Sequence, residues 1–455
     1  MSHITAEQVR DALKSITDPD SGTDIVSRGM ISEIAIHGRK VSFAIMIDAD
    51  GGERMEPVRK MAEDIVSKIS GVAQAHVALT AERAPTMPNA DARKLDKYKM
   101  DGNKMLWHME RVQAWKNGER VAPLHIDAGL SKGCNIRCQY CYGVTQGNFF
   151  KKGSERVFPR DALLQYMQDC GDLGVRSIAL IGEAEPTLNP AVYEAIATGK
   201  KAGVDMSMGT NGVLFDTTKV GEEALEHLTW LRFNISAGSD YAYRRVHASK
   251  EFNTVVEKIR FAVETKRKLN LDTTVGLQMV LTPQNVDQAV PLAQLGAELE
   301  VDYLVIKQCS DTQEGDIGVY DQLEVYHDFG ETLHQAETFS NPNYNVIVKW
   351  DKITNEGHRE YDNCLGAPFL LYSSGDGKLY PCGQWFDHRE EEFRLADLTK
   401  MTFKQAIESD AYWDMINKQA CHVDVHKECY SNCRTHSIND FLWNFSHPPQ
   451  HVNFV

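Results

Sequence analysis

The placing of ten cysteines in 455 residues constrains this chain more than any other feature. None precedes residue 134. Cys134, Cys138 and Cys141 then fall within eight residues, and Cys364, Cys382, Cys421, Cys429 and Cys433 fall within the last 92. Cys170 and Cys309 stand alone. In a secreted chain, clusters like these would suggest disulfides. The opening MSHITAEQVRDALKSI, however, is polar and lacks an apolar signal core. A cytosolic location is therefore expected, with the clustered cysteines acting as metal ligands or catalytic thiols. No apolar run approaches the roughly 18 residues of a membrane span, so no membrane partner is expected. With 49 Lys and Arg against 64 Asp and Glu, the net charge of −15 argues against nucleic-acid binding through phosphate neutralisation.

The hydrophobic pattern predicts an α/β fold in several parts. Residues 1–84 read as a small α+β domain. Thr5 caps a helix bearing Val9, Ala12, Leu13 and Ile16, and HGRK (37–40) closes a hairpin between alternating strands. A helix with Val58, Met61, Ile65, Val66 and Ile69 on one face precedes a last strand, HVALT (76–80). Residues 85–104 read as a linker. Between 105 and 350, six strand candidates alternate with helices: 124–128, 177–182, 205–210, 230–236, 274–280 and 302–308. Such alternation implies parallel strands with right-handed crossovers, a partial (β/α)6 TIM-like barrel whose chemistry lies at the strand C-termini. Residues 351–455 read as a loop-rich, cysteine-rich unit organised by metal.

The triplet Cys134-Asn-Ile-Arg-Cys138-Gln-Tyr-Cys141 lies just after the first barrel strand. Three thiolates on one loop can hold three irons of a 4Fe–4S cluster and leave the fourth open, although thiolates also suit zinc. With this motif the chain resembles radical S-adenosylmethionine (radical SAM) enzymes. The resemblance implies that the open iron binds S-adenosylmethionine and that reductive cleavage gives a 5′-deoxyadenosyl radical, with Tyr140 packing against the adenine. GEAEPTLNP (182–190) resembles the family's Gly-Gly-Glu-Pro segment. Glu183 and Glu185 are then candidates to receive the cofactor's ammonium, and Asn211 and Ser236 to contact its ribose and carboxylate.

The C-terminal cysteines resemble the SPASM or shortened twitch extension, with SSGDGKLYPC (373–382) as the turn that presents one ligand. This resemblance implies one auxiliary 4Fe–4S cluster drawn from Cys364, Cys382, Cys421, Cys429 and Cys433. Cys364, Cys382 and Cys433 are the surest ligands, Cys429 is preferred as the fourth, and Cys421 is the spare. A four-cysteine zinc site is the competing reading. DPDSGTDIVSRGMISEIAI (18–36) resembles the N-terminal domain of Mrp-type iron–sulfur carrier and cluster-assembly proteins. Without cysteine that domain cannot hold a cluster by thiolates, which leaves a docking or dimerisation role.

Lys307 and Cys309, at the end of the sixth strand, are candidate catalytic positions, Lys307 for a substrate phosphate or carboxylate. His247 reads more simply as part of a solvated helix start. The resemblance of residues 100–142 to proteins of surface-carbohydrate biosynthesis points to a small polar, sugar-type substrate. A peptide maturase and an iron–sulfur carrier or assembly factor are the alternatives. Expected partners are a small-molecule or peptide substrate, a reducing donor such as flavodoxin or ferredoxin, and iron–sulfur assembly proteins.

Overall fold

Local signals build the N-terminal region much as its sequence implies. Gln8 N donates to Thr5 Oγ1 (3.3 Å) and Thr5 N to Gln8 Oε1 (3.0 Å), a reciprocal cap that starts the helix Ala6–Leu13. β1 (Ala35–His37) pairs antiparallel with β2 (Lys40–Met46), and β3 (Gln74–Thr80) lies parallel to β2. A parallel pair needs a crossover, which the helix Gly52–Ser67 provides. That helix buries Met55, Val58, Ala62 and Val66, whereas Met61 is 49% exposed. The apolar stripe thus runs one position away from the Met61 expected on it.

The computed structural model describes residues 4–19, 22–28, 30–31, 34–37, 39–47, 52–80, 102–141, 156–309, 320–354, 357–386 and 389–454. The chain divides into two units, Met1–Lys99 and Met100–Val455. The expected linker lies outside the described residues up to 101, and its last three residues open the 3₁₀ segment Gly102–His108.

The larger unit is built on one sheet of ten strands. β4 (His125–Ala128) is followed by a short ribbon of β5 (Ser131–Lys132) and β6 (Arg156–Val157). β7 (Ser177–Leu180), β8 (Asp205–Thr210), β9 (Leu228–Asn234), β10 (Thr274–Leu281), β11 (Tyr303–Gln308) and β12 (Asn345–Val348) then add in order, each parallel to the last. The six expected strands are all present. β12 is a seventh, too short to stand out by alternation. Ordered pairing of this kind gives a partial barrel, and among the described residues the sheet does not close.

Beyond β4 the other edge is extended by β13 (Leu370–Ser373), β14 (Lys378–Tyr380) and β15 (Ala396–Asp397). β13 is parallel to β4 and turns back into β14, with Gly377 at φ +83° in the turn. Leu371, Leu379 and Leu395 enter the same apolar core as Ile126 and Ile178. The cysteine-rich stretch is therefore built onto the sheet by strands of two to four residues, where a loop-rich unit is expected from sequence.

Period-two alternation separates the two faces of the parallel strands. Ile126, Ile178, Met206, Met208, Leu231, Phe233, Leu277, Leu304 and Ile306 are buried in the main core. The alternate positions, among them His125, Asp127, Arg232, Asn234, Gln278 and Lys307, give the other face a polar lining.

Candidate active site at the strand ends

The triplet loop is fastened to the end of the helix Asp240–His247. Gln139 N donates to Val246 O (2.9 Å) and Arg137 N to His247 O (3.3 Å). His247 is fully buried and links two parts of the site. Its Nε2 accepts from Ser236 N (2.9 Å), so its proton is on Nδ1, which lies 3.0 Å from Cys138 Sγ. Burial lowers the imidazole pKa to about 3, so the ring is neutral at ordinary pH. The solvated helix start expected at His247 is thus replaced by an N–H aimed at a thiol of the triplet. A lone histidine carries no spacing signal, so only the 236–247 juxtaposition reveals it.

The triplet cysteines themselves are half-buried. Burial, with the Glu185 carboxylate nearby, pushes Cys134 up to about 12, and burial with the neighbouring cysteines raises Cys138 well above the usual thiol value. Asn211 Nδ2 donates to Asn135 Oδ1 (2.8 Å) and approaches Cys134 Sγ at 3.6 Å. Ser236 Oγ donates to Tyr140 OH (3.0 Å) and accepts from Val280 N (3.0 Å). Cys309, buried at the end of β11, donates from Sγ to Tyr140 O (3.6 Å). Tyr140, Asn211, Ser236 and Cys309 thus meet around the triplet.

The two glutamates are held by the loops at the strand ends. Glu185 Oε1 accepts from Thr187 N (3.1 Å), Thr187 Oγ1 (2.6 Å) and Thr210 Oγ1 (2.6 Å), and Oε2 accepts from Asn211 N (2.7 Å). The carboxylate therefore ties the end of β7 to the end of β8, and burial raises its pKa despite these donors. Glu183 Oε1 accepts from Gly375 N (3.1 Å) in the β13–β14 turn. A Cβ on Gly129 would stand 2.9 Å from Glu183 Oε2, so the glycine makes room for that carboxylate. Both side chains hold the loops that frame the site.

Four C-terminal cysteines converge. Cys364 packs with Tyr361 and Val425, Cys382 packs against Tyr372 and Trp385, and Cys429 borders both groups. The thiols of Cys364, Cys382 and Cys429 are each raised by burial and by Cys433 close by. Cys421 is exposed on the helix Asp410–His422. His422 and His426 are exposed, and His436 meets Tyr361 OH through Nδ1 (3.1 Å). Four thiols are thus neighbours, the residue type that iron–sulfur clusters and structural zinc sites use. Among the described residues no three His, Cys, Asp or Glu side chains close on a single-ion position.

Comparison with known proteins agrees with this arrangement. Residues 6–77 match the iron-sulfur cluster assembly protein family, and residues 130–295 match the radical SAM superfamily. A GTP 3′,8-cyclase of Helicobacter pylori is 30% identical over 155 residues, 33% of this chain and 46% of that protein. The chain thus spans about half the length of this curated relative. An AdoMet-dependent heme synthase of Methanosarcina barkeri is 22% identical over 336 residues, 69% of this chain and 91% of that protein. Streptococcus suis SuiB bound to S-adenosylmethionine superposes with a TM-score of 0.51 at 14% identity, over 71% of this chain and 75% of that one. SuiB bound to its precursor peptide SuiA gives a TM-score of 0.52 at 13% identity, over 80% and 79%. The chain therefore carries a radical SAM domain, with the 4Fe–4S cluster and S-adenosylmethionine that such a domain implies, behind an N-terminal iron–sulfur cluster assembly domain.

Proposed function

We propose that the protein is a radical SAM enzyme acting on a small polar, sugar-type substrate, with Cys134, Cys138 and Cys141 holding the catalytic 4Fe–4S cluster. The supporting observation is the triplet loop at the strand ends, with a neutral His247 donating toward Cys138 above a polar sheet face. When bound, cluster and cofactor supply a radical that takes hydrogen from the substrate. The chain's own residues do the placing. Glu185 and Thr210 fix the loop ends, Asn211 steadies the start of the triplet, and Ser236 holds Tyr140. Arg232, Asn234 and Gln278 line the adjoining face, where hydroxyl groups find hydrogen-bond partners; Gln278 Nε2 already donates to Asn234 Oδ1 (3.1 Å).

In the same reading, Cys364, Cys382, Cys429 and Cys433 hold one auxiliary 4Fe–4S cluster, and exposed Cys421 is outside it. A cluster held by these thiols would supply an electron acceptor or relay, with a flavodoxin- or ferredoxin-type donor as reductant in the cytosol. The N-terminal domain, without cysteine, serves docking for cluster delivery. The test is anaerobic reconstitution followed by reduction with dithionite in the presence of S-adenosylmethionine. Wild type is expected to release 5′-deoxyadenosine and to carry about eight irons. A Cys134/Cys138/Cys141→Ala variant is expected to release none and to keep about four. Transfer of a cluster to an apo-acceptor without cofactor cleavage would support the carrier alternative instead. A peptide substrate is the second enzymatic reading, prompted by the fold shared with peptide-bound SuiB. A substrate screen with sugars and peptides, read by deuterium transfer into 5′-deoxyadenosine, decides between them.

A further inference from the structure

Among the described residues, the polar face of the sheet brings two basic side chains, Arg232 and Lys307, onto neighbouring strands around β10. On β9 the positions on this face are Trp230, Arg232 and Asn234, and on β11 they are Tyr303, Val305 and Lys307. The register sets Arg232 and Tyr303 on either side of Gly276, and Lys307 beside Val280. Val280 N donates to Ser236 Oγ, whose hydrogen goes to Tyr140, so Lys307 stands level with the residues that hold the triplet loop. Gly276 leaves space that the Tyr303 ring fills, since a Cβ there would stand 2.2 Å from it. The Arg232 guanidinium lies 4.9 Å from the centre of the Trp230 ring, and its Nε is buried without a hydrogen-bond partner.

Burial, and then the positive Arg232, Lys352 and Arg434 nearby, hold the Lys307 ammonium down to about 7, a shift that an anion at the site would reverse. Asp127 is a buried carboxylate on this face that attracts Arg232, beside which Tyr303 also lies, but it is already engaged. Arg434 donates to it through Nε (2.9 Å) and Nη2 (3.1 Å), and His125 Nε2 lies 2.9 Å away. Lys352 and Arg434 adjoin Cys433, so a cluster held there accounts for their charge. No cysteine of that set is among the groups acting most strongly on Lys307 or Arg232. Half-buried cations that repel one another are stabilised by an anion placed between them, and a planar guanidinium with an ammonium suits a small oxyanion.

We propose that Lys307 and Arg232 form an oxyanion subsite that receives a carboxylate or phosphate group of a small-molecule substrate. This rests on the radical SAM reading for the substrate's fate, but its binding is measured without that chemistry. Titration calorimetry of the reconstituted, unreduced protein with inorganic phosphate, and separately with acetate, at constant ionic strength is the test. One of the two anions binds saturably to wild type and so names the group. Lys307→Met and Arg232→Met each weaken it about tenfold, the loss of one charge-assisted hydrogen bond. Lys307→Arg and Arg232→Lys, which keep charge and bulk, retain most of the binding. Absence of saturable binding in wild type, or equal binding by wild type and all four variants, overturns the proposal. Loss of about four irons in either Met variant also overturns it, because the cations would then serve a cluster. A protein that binds phosphate yet leaves S-adenosylmethionine intact keeps the subsite and loses the radical reading; the opposite result does the reverse.

Discussion

His247 is the residue on which the site's electronics turn. Its ring orientation is set by a backbone donor, Ser236 N, which leaves Nδ1–H for Cys138. Hydrogen bonds to cluster sulfurs are among the determinants of reduction potential, because they stabilise the more electron-rich reduced state. His247→Phe is therefore expected to shift the triplet cluster to a more negative potential in a spectroelectrochemical titration without cofactor. An unchanged potential would remove His247 from this role. Cys421 gives a contrasting prediction. Exposed and apart from the other four cysteines, Cys421→Ser is expected to keep full iron content, whereas Cys382→Ala is expected to lose about four irons. At this scale the sequence offers most where candidate ligands lie close together, as in the triplet. Where they are far apart it offers single candidates, such as Lys307, but not the partners they meet. Arg232 and Lys307 share no spacing, and only the sheet register brings them to one face, while Lys352 and Arg434 approach from outside the sheet.

Among elements, the β13–β14 hairpin has more influence than its length suggests. Its turn residue Gly375 donates to Glu183, and a Cβ on Gly375 would fall 2.0 Å from Ser131 C and O, in the strand leading to the triplet. Backbone cannot yield as a flexible side chain can. Gly375→Ala is therefore expected to destabilise the protein by about 2 kcal/mol in denaturant unfolding, in the range of overpacking. Stability equal to wild type would show that the turn and β5 are not so closely fitted. The turn SSGDGKLYPC was legible from its glycines, and β8 matches its expected span of 205–210. β12, β13 and β15 were not legible, because two to four residues show too little alternation to separate a strand from a loop. The stripe on the Gly52–Ser67 helix shows the complementary error. Met61 is apolar and close to the right spacing, yet Ala62, the smaller neighbour, occupies the buried position.

At the scale of the whole molecule, the two units hold separate cores, one formed by residues such as Val9, Val41 and Val66 and the other by the sheet. All the site residues belong to the larger unit. Truncation to residues 100–455 is accordingly expected to retain cofactor cleavage after chemical reconstitution, while iron content of protein isolated anaerobically from cells falls. Equal iron in the two forms would argue against a delivery role for the smaller unit. The fold class and the cofactor pair were legible in the cysteine motif and the strand order. The substrate is less legible, because the polar side chains of the strand ends come together only through the sheet.

The account depends most on an iron coordination position left open by the three thiolates of the 134–141 loop. Electron paramagnetic resonance of a Cys382→Ala/Cys433→Ala variant, reduced anaerobically, isolates that centre. Addition of S-adenosylmethionine is expected to change the g values of a 4Fe–4S signal. A signal indifferent to the cofactor, or zinc as the metal at the loop, would contradict it.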